Sequence, residues 1–379
     1  MGRHFPLDNP CTYGESSNLD NRESQVVGRF NLRWRAGLGV DLELCSELLT
    51  EARLVLIIQV PFAMELYPGA HQISSLYNDG RSLFQYLFVG ARVLLVDSGV
   101  AETPQNSILP YMEKLGLPPE RLTLFITTHP DLDHQGGNAA IRESSPRALL
   151  ACGEADRHLV EDPKCLYRER YNFLQEEHGV GFGDEVSDDA GRRCQVDIGF
   201  CGGERIAIDH GWELEVLHVP GHSHGHLALY DAAHKAAYVS DAIHGRGCPK
   251  ADGTMGIPVT YFYVDTYLST VTYLEHLEVE HLYTGHWPAM HGEEIRDFFN
   301  DSRRTVEILD RKILRTLGQA RLGLTLSELM DAAMEAFPEW PSPARVLTVF
   351  PVKAHLDRLQ SRGQICLDRS SLPPRWKGA

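Results

Sequence analysis

The sequence predicts an α/β body that carries a metal site, followed by a small helical domain. Three observations lead there. Short apolar, β-rich runs at residues 122–126, 216–219, 237–240 and 281–284 read as buried strands. Each run is followed within a few residues by histidine or aspartate, so four strand ends can aim side chains at one place. Beyond residue 293 the pattern changes, and Ile295, Phe298, Phe299, Val306, Leu309 and Ile313 fall near helical spacing.

Taken in order, residues 1–52 form an N-terminal arm, polar at first, with 40–50 a short helix or extended segment. The best apolar run, 54–62, has the length of one strand and falls far short of a membrane span. Residues 53–292 form the metal-binding body. Within it, 93–96 is a buried strand that turns at Asp97-Ser98-Gly99. Residues 103–115 read as a helix, with Pro104 near its start where the missing N–H does no harm. Two inserts flank the strand ends. Residues 153–200 read as one or two helices and a glycine-rich loop, either overhanging the cleft or facing solvent. Residues 244–263 follow Asp241 directly and should border the site, so Arg246, Tyr261 and Tyr263 are candidates to meet an oxyanion or carboxylate.

Residues 293–379 form the C-terminal domain. Its second helix, 326–337, has Thr325 as N-cap and Glu328 as capping-box partner. A third helical stretch, 342–362, should break or kink at Pro351, and 364–367 reads as a strand. Helix, helix, helix, strand is a winged-helix-like order. The acidic chain and the mixed charges on the third helix favour packing or substrate capping over DNA binding.

The chemistry starts at His129, Asp131, Asp133 and His134, four metal-capable side chains within six residues at a strand end. Imidazole and carboxylate together suit zinc, iron or manganese. His222, in the loop Gly221-His222-Ser223-His224-Gly225-His226, and the strand-end residues Asp241 and His286 can complete the set. A lone strand-end histidine is more often a hydrogen-bonded structural residue. The matching contexts of His129, His134, His222 and His286 argue for ligation together. His226 reads instead as an outer partner or substrate contact, because metal-bound imidazoles need such partners.

At these motifs, residues 53–291 resemble the metallo-β-lactamase-fold hydrolases. The family pattern is His-x-His-x-Asp-His, a Gly-His-Ser/Thr-x-Gly-His loop, a strand-end Asp and a strand-end Gly-His. The resemblance implies a four-layer αβ/βα sandwich of two mixed sheets flanked by helices, with two divalent metals between the sheets. It implies that His129, the residue at 131 and His222 hold the first metal. Asp133, His134 and His286 would hold the second, and Asp241 and a hydroxide would bridge both. The small C-terminal domain resembles one that some members carry beside the active site.

Position 131 departs from that pattern, with Asp where His is usual. Aspartate is shorter and harder than imidazole and adds negative charge. If Asp131 ligates, preference moves toward iron or manganese, although zinc remains the favoured metal. Otherwise Asp131 points away and the first site is weak or empty.

The implied reaction is hydrolysis of an activated acyl bond (thioester, lactone or ester) by the metal-bridging hydroxide, with Asp133 free to assist proton transfer. Three alternatives stand beside it: a phosphodiesterase or ribonuclease, a di-iron redox protein, and a non-catalytic binding protein with a degenerate site. The net charge of -16 disfavours a nucleic acid partner. The expected partner is a small-molecule acyl substrate, with no membrane, and a homodimer is open. Eight scattered cysteines without a Cys-x-x-Cys pair argue against a disulfide framework. With no secretory pattern at the polar N-terminus, the expected location is cytoplasmic.

Overall fold

Alternation of side chains along the strands sorts the core into layers. The computed structural model describes residues 63–379 apart from Asn78 and Asp184. The expected arm 1–52 and the strand at 54–62 lie outside the described residues. By their contacts the described residues all fall in one compact unit.

The first sheet has seven strands in sequence order: β1 (Ala63–Tyr67), β2 (Ala70–Leu76), β3 (Ser82–Val89), β4 (Val93–Val96), β5 (Leu122–Thr127), β6 (Leu149–Gly153) and β7 (Ile198–Phe200). Pairing is antiparallel from β1 to β4 and parallel from β4 to β7. The second sheet uses β8 (Arg205–Asp209), β9 (Trp212–His218), β10 (Leu227–Asp231) and β11 (Ala236–Ser240). After a two-stranded ribbon, β12 (Cys248–Pro249) with β13 (Met255–Ile257), it is completed by β14 (His281–Thr284) and β15 (Met290–His291). Its spatial order is β15-β14-β11-β10-β9-β8, with β11 and β14 parallel and the remaining neighbours antiparallel.

Successive side chains on a strand point to opposite faces. On β3, Phe84, Tyr86 and Phe88 join the core between the sheets, while Leu87 joins the core under the outer helices. On β4, Leu94 and Val96 face inward and Val93 and Leu95 outward. On β11, Ala236 and Tyr238 face the first sheet, and Ala237 and Val239 face the C-terminal helices. The result is helices, sheet, sheet, helices, the four-layer sandwich expected.

The helix after β4 runs over Pro104–Ile108 in wide π turns and continues as α over Leu109–Lys114. Behind the second sheet lie Val264–Glu275, the long helix Glu293–Gln319, Leu326–Ala336 and Val349–Ser361. Glu328 and Thr325 form the capping box reciprocally. The third helical stretch breaks at Thr348, between a 3-10 turn (Ser342–Thr348) and the α-helix, rather than at Pro351. Pro351 falls in the first turn of that helix, where an N–H has no intrahelical acceptor to lose. The chain ends in a hairpin of β16 (Ile365–Asp368) and β17 (Arg375–Gly378). The cysteines of the described residues are all free thiols. Among the described residues no helix is long and apolar enough to cross a membrane.

Candidate metal centre

Each candidate ligand lies beyond the C-terminal end of a strand: 129–134 after β5, His222 and His226 after β9, Asp241 after β11 and His286 after β14. Asp97, at the end of β4, gathers them from behind. Its carboxylate accepts from Thr128 N at 2.8 Å, from Thr128 Oγ1 and Ser240 Oγ at 2.9 Å, and meets His134 Nδ1 at 2.9 Å. Asp97 and Ser240 both take left-handed backbone conformations, at φ +60° and +47°. For non-glycine residues that strain costs about 1–3 kcal/mol each, and it tends to cluster at functional sites.

Nδ1 of each of four imidazoles faces an outer partner. His134 meets Asp97, His286 meets the Ser82 carbonyl at 2.9 Å, His129 meets Thr128 Oγ1 at 3.0 Å, and His222 lies 3.4 Å from Thr260 Oγ1. That fixes ring orientation and leaves Nε2 facing the centre. His134 and His286 bring their Nε2 atoms to 3.4 Å, and Asp241 Oδ2 lies 3.2 Å from His286 Nε2 and 3.7 Å from His134 Nε2. The Nε2 of His129 is buried with no hydrogen-bond partner. Among the described residues, potential ligand atoms converge within 4.8 Å in four groups: His129, His222 and His226; His129, His134 and Asp241; Asp133, His134 and His286; and Asp241, His244 and Cys248. An orphaned imidazole nitrogen beside buried carboxylates is a donor set that fits a divalent cation. Gly285 permits this crowding, since a Cβ there would stand 2.7 Å from His134 Cε1 and closer still to Asp241 Oδ1.

The electrostatics follow from burial against charge. Burial pushes His129 well below its ordinary value, helped by His134, His222 and His226, so it is neutral with a lone pair to offer. Burial lowers His222 to about 4 despite Asp131. For His134, burial works downward, but the carboxylates of Asp241, Asp97 and Asp133 outweigh it and lift the group to about 10. Burial would raise Asp241, yet His286 and His134 hold it well below the carboxylate range.

Asp131 is brought to this cluster but is already engaged. Arg170 grips it with Nε at 2.5 Å and Nη2 at 3.0 Å, Tyr171 donates its hydroxyl at 3.1 Å, and His222 Nε2 lies 2.8 Å away. Asp131 is absent from the four convergent groups. Asp133 receives Arg81 Nη1 on Oδ2 at 3.2 Å, while Arg81 Nε is held by Asp79. His226 stacks on His129 with ring centres 4.6 Å apart and turns Nε2 to the Val239 carbonyl at 3.3 Å.

Three other expected contacts are placed elsewhere. Arg246 is half-exposed and faces Asp301 and Glu339, because its neighbour Gly245 packs on the long helix. Tyr263 lies against His224, its hydroxyl 2.5 Å from Nε2, beside a separate cavity. Tyr261 is fully buried and bonds His355 Nε2 at 2.8 Å, away from the cleft, because its ring packs among the C-terminal helices.

That last contact leads to a pH prediction. Burial lowers His355 from its ordinary 6.5, although Asp310 opposes it, and His355 and Arg358 together hold Asp310 below 3.8 against burial. Both groups have depressed values when folded, so the unfolded chain takes up protons first. The contribution of His355 is present above about pH 6.5 and is lost as pH falls below it, whereas that of Asp310 is present above about pH 3.8 and is lost only below that, at most about 1.4 kcal/mol per pH unit for each group. Thermal unfolding between pH 8 and 5 should show the His355 loss, with a shallower slope in His355→Asn. An unchanged slope would remove His355 as its source.

The cleft over the centre has a volume of about 520 Å³. Asp131, Asp133, Asp241 and His286 line its floor, with Arg81 and Lys250 beside them. Tyr167, Tyr171 and Phe182 from the 153–200 insert form one wall, and Leu347 and Phe350 from the C-terminal helices form another.

Residues 81–286 match the family model of the metallo-beta-lactamase superfamily. The chain belongs to that superfamily. Among curated members it is 29% identical over 155 residues to a hydroxyacylglutathione hydrolase of Aeromonas hydrophila, covering 41% of this chain and 44% of that one. It is 25% identical over 251 residues to an acyl-coenzyme A thioesterase of Gallus gallus, covering 58% and 77%. The chain thus spans less than half the length of the Aeromonas relative. Among solved superfamily structures, a metallo-beta-lactamase family protein of Thermus thermophilus aligns with a TM-score of 0.62 at 20% identity, covering 83% of this chain and 100% of that one. A beta-lactamase domain protein of Burkholderia ambifaria aligns with a TM-score of 0.65 at 16% identity, covering 84% and 93%. At such identities these two structures speak for the fold alone.

Arg81, Asp97, Ser240 and Thr128 were not among the site residues expected from sequence. The turn Asp97-Ser98-Gly99 was visible as a strand end, and that was the one signal available for Asp97.

Proposed function

We propose that this chain is a metal-dependent hydrolase of acyl thioesters. One observation carries the reading: inward-facing imidazole nitrogens and buried carboxylates converge within 4.8 Å on the floor of a cleft with aromatic walls. The two named relatives, one a hydrolase of hydroxyacylglutathione and one of acyl-coenzyme A, support thioesters as the substrate class.

Asp133, His134, Asp241 and His286 would hold a divalent ion, with zinc the favoured metal. Such an ion supplies Lewis acidity, polarising an acyl carbonyl and making water acidic enough to attack near neutral pH. The residues of the chain do the rest. Asp97 and the Ser82 carbonyl fix the rings of His134 and His286. Asp133 keeps Oδ1 clear of Arg81, which leaves that atom available to bind or to take a proton. Tyr167, Tyr171, Phe182 and Phe350 offer apolar surface to an acyl chain and exclude water. Lys250 lies where a carboxylate or phosphate of the thiol carrier could be met.

The test is release of free thiol from an acyl-glutathione and an acyl-coenzyme A by zinc-loaded protein. We expect turnover of at least one, a loss of at least about a hundredfold on chelation, and recovery when zinc is returned. Zinc-loaded protein that releases thiol from neither would sink the reading.

A further inference from the structure

Arg170 occupies the side of the centre where a first metal would need its ligands. Its Nε and Nη2 take the two oxygens of Asp131 at 2.5 and 3.0 Å, a two-pronged ion pair. The same Nη2 lies 3.1 Å from His222 Nε2, and Nη1 donates to the His222 carbonyl at 3.2 Å. The guanidinium is buried, with Phe262 stacked 4.2 Å away, so nothing draws it out to solvent. Asp131 and His222 are two of the three side chains expected to hold the first metal. Both already face a cation that does not lose its charge in proteins. A dication on the same atoms would lie within a few ångströms of that charge in a poorly screened interior.

The other side of the centre differs. Arg81 touches Asp133 through one N–H on one oxygen, and its Nε is taken by Asp79. The Nε2 atoms of His134 and His286 face each other and Asp241, with no guanidinium among their hydrogen-bond partners. His129, His222 and His226 also converge, but Arg170 donates to the His222 carbonyl and faces its Nε2, and His226 turns Nε2 to Val239, which leaves only its Nδ1 without a partner.

We propose that Arg170 is a resident cation in place of the first metal, so that the chain carries one divalent ion, on Asp133, His134, Asp241 and His286. Asp131 and Arg170 are then a coupled replacement: the acidic residue that departs from the family pattern is matched by the base that neutralises it. This rests on the metal centre proposed above and fixes its stoichiometry.

The experiment is a zinc titration of metal-free full-length protein by calorimetry, with bound zinc counted by elemental analysis after free zinc is removed. Wild type and Arg170→Lys should each bind one zinc per chain. Arg170→Gln, which frees Asp131, should show a second binding event. His222→Ala should keep the single ion, and His286→Ala should lose it. Two zinc ions in wild type would overturn the proposal while leaving the metal centre intact. One ion in both wild type and folded Arg170→Gln would overturn the part given to Arg170. No zinc in wild type would overturn the metal centre itself, and this inference with it. If Arg170→Gln does not fold, the wild-type count together with the His222 and His286 variants decides.

Discussion

Asp241→Asn is expected to lower kcat/KM for a thioester about a thousandfold and to strip the protein of zinc under mild chelation. Asp241 Oδ2 approaches His286, His134 and His244 at 3.2, 3.7 and 3.6 Å, and Asp241 enters two of the four convergent ligand groups. An amide of the same shape keeps the packing and removes the charge. Lewis-acid stabilisation by a bound metal is worth several kcal/mol, and each 1.4 kcal/mol or so is tenfold in rate, which gives the thousandfold figure. The fold should lose some stability, because His286 and His134 favour the charged carboxylate strongly enough to outweigh its burial, and an amide leaves those imidazoles without it. Measured together, zinc content, thermal unfolding and steady-state kinetics separate the effects. Full activity in zinc-depleted Asp241→Asn would end the case for a metal at this position.

What the sequence disclosed and what it withheld have a common physical origin. The candidate ligands were legible because each of them, singly or in a cluster, follows closely on a strand, and strands announce themselves by short apolar runs. The layering came from the family resemblance and not from alternation, since β4 and β11 are buried on both faces and read as unbroken apolar runs. The cations that balance the carboxylates were hidden. Arg170 meets Asp131 from 39 residues away, and Arg81 meets Asp133 from 52 away, so no local pattern links them. Tyr261 misled because adjacency to Asp241 in sequence says nothing about which face of a loop a ring takes. A buried phenol needs a hydrogen-bond partner, and His355 on the C-terminal helix supplies it. Pro351 misled because its effect depends on position within the helix, which composition alone does not give.

Asp97 lets charge and geometry be pulled apart. Asp97→Ala is expected to weaken zinc binding by about 10–100-fold, the usual effect of losing a carboxylate behind a metal-bound imidazole. It should also destabilise the fold. Thr128 N, Thr128 Oγ1, Ser240 Oγ and His134 Nδ1 all lean on this carboxylate in a buried setting, and each polar group left unpaired costs about 1–3 kcal/mol. Alanine gives no relief at φ +60°, since it too carries a Cβ. Asp97→Asn should behave differently. Its one amide oxygen can still accept from Thr128, so stability should fall less than in the alanine variant. Its NH2 group would then confront His134 Nδ1, favouring the tautomer that carries its proton on Nε2, the nitrogen a metal needs bare. Zinc affinity should therefore fall about as far as in Asp97→Ala, while the unfolding temperature falls less. Calorimetric zinc titration beside thermal unfolding reads the two separately. Wild-type zinc affinity in Asp97→Asn would show that Asp97 acts as a brace for the β4 turn and has no hold on the His134 tautomer.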